Sequence, residues 1–150
     1  MTVVLRGGRV VDSGGERLID VEIGDDGLIA AVGTGLTGDV QLDASGCVVS
    51  PGFVDLHVHL REPGQEDAET IQTGARGGAL GGYTALVAMP NTDPVTDCAA
   101  VVEQVRALGS RPMCEIVPPA AMTVGRRGVD MAPMGELVDH GVGIFTDDGT

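Results

Sequence analysis

The stretch PGFVDLHVHLREPG, residues 51–64, divides the chain and carries its most informative chemistry. Phe53–Leu60 is an apolar run interrupted by polar residues at alternate positions, which predicts a β-strand. Side chains two apart on a strand share a face, so His57 and His59 point the same way, roughly 7 Å apart along the backbone. Two imidazoles on one face can converge on one metal ion; zinc takes histidine nitrogen at about 2.0–2.1 Å and, in catalytic sites, keeps a position open. A lone H-x-H is a modest signal, since paired histidines also serve as ordinary strand residues. Here the charged and turn-forming Arg61-Glu62-Pro63-Gly64 follows at once and strengthens the functional reading.

Downstream, strands and helices alternate. A helix is expected over about 66–80, with acidic residues of QEDAET at its start, where the helix dipole favours negative charge, and Gly81-Gly82 as its stop. YTALVAMP, 83–90, reads as a second strand. A helix follows from about Asp97 to Leu108, with Val101, Val102, Val105 and Leu108 on one stripe and Gly109 as its end. MCEIVPPAAM, 113–122, is expected to be a third strand, PMGELVDHG, 133–141, a short helix, and VGIFTDD, 142–148, a fourth strand. This βαβαβαβ order predicts a parallel sheet or half of an α/β barrel, whose full form takes about 250 residues. The chain is therefore expected to be a fragment of a longer protein, with 51–150 supplying the first four β/α units. A free-standing four-stranded domain is the alternative.

Upstream, residues 1–50 read as a small β-domain of short β-branched runs punctuated by Gly and Asp, with a tight turn at Asp25-Asp26-Gly27. It contains no histidine, and no chemistry is assigned to it.

Three polar clusters stand beside His57 and His59 at strand ends, the rim that carries the active site in an α/β barrel. Arg61 offers a bidentate fork for a substrate carboxylate, or pairs on the surface with Glu62 or Glu66. Asn91, the one asparagine of the chain, can bind substrate through its amide or simply start the turn of MPNTDP. Asp147-Asp148 suits a bridging metal ligand, or is a solvated Asp-Gly loop. His140, before Gly141 at a helix end, reads as a surface or capping residue.

The composition bounds the rest. The 150 residues carry a net charge of −13 with no Trp, one Tyr and two Phe, which argues against nucleic acid as partner. No window is apolar enough for a membrane span and no secretory leader is evident, so the cytoplasm is the expected location. Cys47, Cys98 and Cys114 are scattered and read as free buried thiols.

Taken together, PGFVDLHVHLREPG, GGYTALVAMPNT and GIFTDDG resemble the type I dihydroorotases of the amidohydrolase superfamily, over essentially the whole chain. The resemblance implies a TIM-type (β/α)8 amidohydrolase barrel beside a β-domain. It implies His57, His59 and Asp148 as metal ligands, with Asp148 bridging two zinc ions, and His59, Arg61 and Asn91 as substrate contacts. Related hydantoinases and allantoinases bridge their metals with a carboxylated lysine; this chain has no Lys, which favours the aspartate. The implied reaction is the interconversion of N-carbamoyl-L-aspartate and dihydroorotate in pyrimidine biosynthesis. The family's remaining ligands and its general-base aspartate are expected beyond Thr150, so the fragment alone is expected to be inactive. An allantoinase- or hydantoinase-type amidase and a non-catalytic scaffold subunit of a transcarbamoylase are the competing readings. Beyond a small-molecule substrate, a homo-oligomer or a docked transcarbamoylase are the partners left open.

Overall fold

The computed structural model describes residues 1–110 and 113–149. The chain forms two compact units, Met1–Pro51 and Gly52–Thr150. No helix among the described residues is long and apolar enough to cross a membrane.

The first unit is a single mixed sheet of β1 (Val3–Asp12), β2 (Gly15–Ile23), β3 (Ile29–Gly33), β4 (Val40–Asp43) and β5 (Val48–Val49). β1 and β2 form a hairpin closed by Asp12, whose carboxylate accepts Gly14 N–H at 2.7 Å and both arms of the Arg17 fork at 2.8 Å. On its other side β1 pairs in parallel with β4 and then β5. The ladder between β1 and β2 shifts register between Leu5 and Gly8, where Gly7 adopts φ +66. Only glycine takes that backbone region freely. The buried Asp20 carboxylate fills the irregularity: it accepts Gly7 N–H at 2.9 Å, Gly35 N–H at 2.9 Å and Leu36 N–H at 3.2 Å. Val4, Val10, Val21 and Ala44 make the apolar interior of this unit.

The second unit is a three-stranded parallel sheet in sequential order, β6 (Phe53–Val58), β7 (Tyr83–Ala88) and β8 (Glu115–Val117), with α1 (Ile71–Leu80) and α2 (Ala99–Leu108) as connections and α3 (Met134–Asp139) following. Leu60, Ile71, Ala75, Leu86, Ala88, Val105 and Cys114 form its main core. A second cluster joins Val102 of α2 to Leu137 of α3, with Ala120, Ala132 and Val142. Val101, Val102 and Val105 are the buried stripe of α2 expected from their spacing.

Several boundaries differ from the sequence reading. α1 starts at Ile71, not near Glu66, because Thr70 is extended and forms a reciprocal capping box with Thr73. The acidic residues of 65–70 therefore do not occupy the first turn; the carboxylate that reaches it is Glu62, which accepts Ile71 N–H at 2.7 Å. β8 is shorter than the expected 113–122, since Pro118 and Pro119 supply no N–H to a ladder. For the same reason the fourth strand expected over 142–148 is reduced to a single parallel bridge, Ala120 to Phe145. Ala120 N–H donates to Ile144 O and Thr146 N–H to Ala120 O, both at 3.0 Å. The cysteines are free, but only Cys114 is buried; Cys98 is half-buried and Cys47 exposed. Burial pushes the Cys114 thiol above its ordinary pKa.

Candidate metal centre

His57 lies near the end of β6 and His59 just beyond it, with their rings edge to face at 5.3 Å between centroids. The shared face expected from strand alternation is thus present, although the β6–β7 register shifts between Asp55 and Val58. Asp148 arrives from the loop after the Ala120–Phe145 bridge. Its Oδ1 is 2.9 Å from His57 Nε2 and 3.9 Å from His59 Nε2. The donor atoms of the three residues all lie within 4.8 Å of one another, making one group among the described residues able to hold a metal ion.

The arrangement fits a divalent cation. Bonds of about 2.0–2.2 Å in tetrahedral geometry place donors about 3.4 Å apart, and the two Asp148–histidine separations straddle that distance. The donors are neutral imidazole nitrogen and carboxylate oxygen, a set that suits zinc. The Asp148 side chain is only 8% exposed, so its charge is poorly hydrated and depends on cationic neighbours.

The adjacent acidic residues are divided by role. Asp147 turns away from the histidines and accepts the Thr123 backbone N–H at 3.0 Å and the Thr123 hydroxyl at 2.8 Å. Burial pushes the Asp147 carboxyl up, but the hydrogen bonds from Thr123 and Met122 and the Arg126 charge outweigh it and hold the group below its ordinary range. Asp148 is left facing the histidines.

Arg61 is exposed and holds φ +63. Neither suggested surface partner engages it: Glu62 caps α1, and Glu66 accepts Gly64 N–H at 2.9 Å. Among the described residues its guanidinium makes no ion pair. Asn91 is closer to the histidines than a substrate contact requires, for its Oδ1 lies 3.0 Å from His59 Nδ1. The loops carrying these two residues are docked. Asp93 N–H donates to Pro63 O at 3.0 Å, and a Cβ on Gly64, at φ +107, would stand 2.5 Å from Asp93 O. The glycine of HLREPG is therefore required by the approach of MPNTDP.

His140 stands apart from this group. It is the C-cap of α3, its backbone N–H donating to Glu136 O, and its Nδ1 lies 3.2 Å from Glu103 Oε1.

Sequence reasoning missed Arg126. It sits in a short 3-10 turn, Val124–Arg126, with Nε donating to Asp147 O at 3.1 Å and Nη2 3.6 Å from Asp148 Oδ2. The available signal was the glycine-flanked GRRG run at 125–128. Among the described residues the non-glycine ones with positive φ are Arg61, two positions past His59, Arg126, and Asp148 itself. Such backbone costs of order 1–3 kcal/mol per residue and clusters where function fixes geometry.

Comparison with known proteins identifies the family. The family described as Dihydro-orotase-like matches residues 46–150. The chain is 48% identical to the dihydroorotase of Streptomyces coelicolor, over 97% of this chain and 34% of that protein. It is 47% identical to that of Mycobacterium tuberculosis, over 99% and 35%, and 42% identical to that of Pelotomaculum thermopropionicum, over 99% and 36%. The chain thus spans about a third of the length of the curated relatives it matches. Among solved structures, the L-hydantoinase from Arthrobacter aurescens aligns over 95% of this chain and 32% of its own with TM-score 0.80 and 23% identity. A dihydroorotase crystal structure aligns over 93% and 38% with TM-score 0.63 and 22% identity. These two likenesses establish the fold, the opening portion of the barrel that hydantoinases and dihydroorotases share. By sequence, the chain belongs to the dihydro-orotase-like family.

Proposed function

We propose that the chain is part of a zinc-dependent dihydroorotase that interconverts N-carbamoyl-L-aspartate and dihydroorotate. The observation that carries the reading is the convergence of His57, His59 and Asp148 on one point, in a chain 40–48% identical to named dihydroorotases. Residues 1–50 are read as a β-domain segment without chemistry, and 51–150 as the start of the catalytic barrel.

His57, His59 and Asp148 would hold the metal, with Asp148 offering Oδ1, the oxygen nearest both imidazoles. A zinc ion bound there supplies Lewis acidity to the amide carbonyl and to the attacking water. His59 would offer Nε2, the nitrogen nearer Asp148, to the ion, while Asn91 contacts its Nδ1. The Arg61 guanidinium, which makes no ion pair among the described residues, and the Asn91 amide nitrogen are the groups that would take the substrate carboxylate and fix the ring in register. No residue of this chain is assigned as general base. The substrate is a small diffusible acid, consistent with action in the cytoplasm.

The hydantoinase reading draws on the higher TM-score to the L-hydantoinase. Arg61 speaks against it, because a fork for a carboxylate suits dihydroorotate and not an uncharged hydantoin. The test is metal content and ring opening by the intact protein. Bound zinc with turnover of dihydroorotate is the expected result, and Arg61→Ala should weaken that turnover far more than turnover of any neutral cyclic amide. A zinc-loaded protein that opens hydantoin or allantoin and ignores dihydroorotate would overturn the substrate. A protein without zinc that co-purifies with a transcarbamoylase would overturn the enzyme.

A further inference from the structure

We infer that Arg126 is a positioning residue for the metal centre: it grips Asp147 O and Asp148 Oδ2 together and so aims Asp148 Oδ1 at His57 and His59. The inference rests on the metal-site reading of those three residues and deepens it.

Asp148 is poorly placed to hold itself. It sits at φ +57, in a backbone region non-glycine residues avoid. It lies in a segment outside the named strands, three positions past the isolated bridge of Ala120 to Phe145. Among the described residues its own backbone is anchored by one bond, from its N–H to the Thr146 hydroxyl at 3.0 Å. A carboxylate in such a loop would sample several rotamers.

Arg126 removes that freedom. Its side chain is 16% exposed, and the two contacts come from different nitrogens of one rigid guanidinium. Nε donates to Asp147 O, which fixes the plane of the fork relative to the backbone of the Asp147–Asp148 peptide. Nη2 then faces Asp148 Oδ2 at 3.6 Å, close enough to attract the carboxylate and too long to consume a lone pair. The oxygen left over, Oδ1, is the one nearest both imidazoles. Because Arg126 stands on the Oδ2 side, a cation at Oδ1 does not displace it.

The turn that carries Arg126 is itself pinned. Gly128 N–H donates to the Thr123 hydroxyl at 2.9 Å, that hydroxyl donates to Asp147, and Gly125 N–H donates to Asp97 at 2.7 Å. Lysine could restore the charge near Asp148 but cannot also donate along the direction of Nε, so the two-point grip is specific to arginine.

The experiment measures zinc affinity of the intact protein by competition with a chromophoric chelator, and the visible spectrum of the cobalt-substituted form, for wild type, Arg126→Gln, Arg126→Lys and Asp148→Asn. Removing a group that orients a metal ligand typically costs about 10–100-fold in affinity. Arg126→Gln is expected to fall in that range with a shifted cobalt spectrum, and Arg126→Lys to lie between it and wild type. Wild-type affinity and spectrum in Arg126→Gln, alongside loss of metal in Asp148→Asn, would overturn the positioning role and leave the metal site standing. Wild-type affinity in Asp148→Asn would overturn the site reading, and the inference with it. If Arg126→Gln does not fold, Arg126→Lys decides: an intermediate affinity supports the grip and wild-type affinity overturns it.

Discussion

Asn91 Oδ1 lies 3.0 Å from His59 Nδ1, across two loops that are thirty-two positions apart in the chain. A carbonyl oxygen only accepts, so Nδ1 carries the proton, and in the neutral imidazole Nε2, the nitrogen facing Asp148, is then the one with the lone pair. Asn91→Ala is expected to release this tautomer. Nitrogen-15 correlation spectra of the imidazoles should show His59 as a pure Nδ1–H form in wild type and as a mixture in the variant. An unchanged His59 pattern would show that Asn91 does not set it.

Gly64→Ala tests the docking of the two loops. The new Cβ meets Asp93 O at 2.5 Å in a backbone at φ +107, so the substitution combines a clash with unfavourable torsion. A loss of at least about 1–3 kcal/mol is expected, read as a drop of several degrees in Tm. A Tm within one degree of wild type would mean the loops part freely.

Thr123→Val keeps the shape of a buried side chain and removes its hydroxyl, which bonds both Asp147 and Gly128 N–H. The expected cost is about 2 kcal/mol, the range for a buried hydrogen bond to a charged group with one partner left unsatisfied. Urea denaturation measures it, and a change below half a kcal/mol would count against the network around Asp147.

Asp20 should make the first unit acid-sensitive. The Gly7 N–H, with those of Leu36 and Gly35, holds its carboxyl below the ordinary value. For a depressed carboxyl the stabilisation is complete above the unfolded-state pKa, near 3.9, and is lost as pH falls through the lower folded-state value. Hydrogen-exchange protection of the Gly7 and Gly35 amides should therefore persist at pH 5 and decline below about pH 4, while Asp20→Asn should show weaker protection that changes less with pH. Equal pH profiles in the two proteins would remove Asp20 as the cause.

Periodicity made much of this fold legible. The valine stripe of α2 and the histidines alternating at the end of β6 and just past it follow from 3.6- and 2-residue repeats, which can be counted in the sequence. What periodicity did not show was decided by neighbours. The start of α1 was set by Thr70 and Thr73 bonding each other, against the pull of acidic residues a few positions earlier. The weakness of the fourth strand came from Pro118-Pro119 in its partner segment. The same divide runs through the site. Residue type and spacing singled out His57, His59 and the Asp147-Asp148 pair, and the family resemblance pointed to Asp148 within it; the fold gathers the donors of His57, His59 and Asp148. The Arg126 grip and the Asn91–His59 contact link loops more than twenty residues apart, and such links leave no local pattern to read.

The close seating of Gly64 on Asp93 has a mechanical consequence for recognition. Arg61 and Asn91 ride on segments that cannot slide past each other without opening that contact, so a ligand tugging on either one loads both. The two side chains would then act as a single jaw, and their separate removal would not sum to the effect of removing the pair.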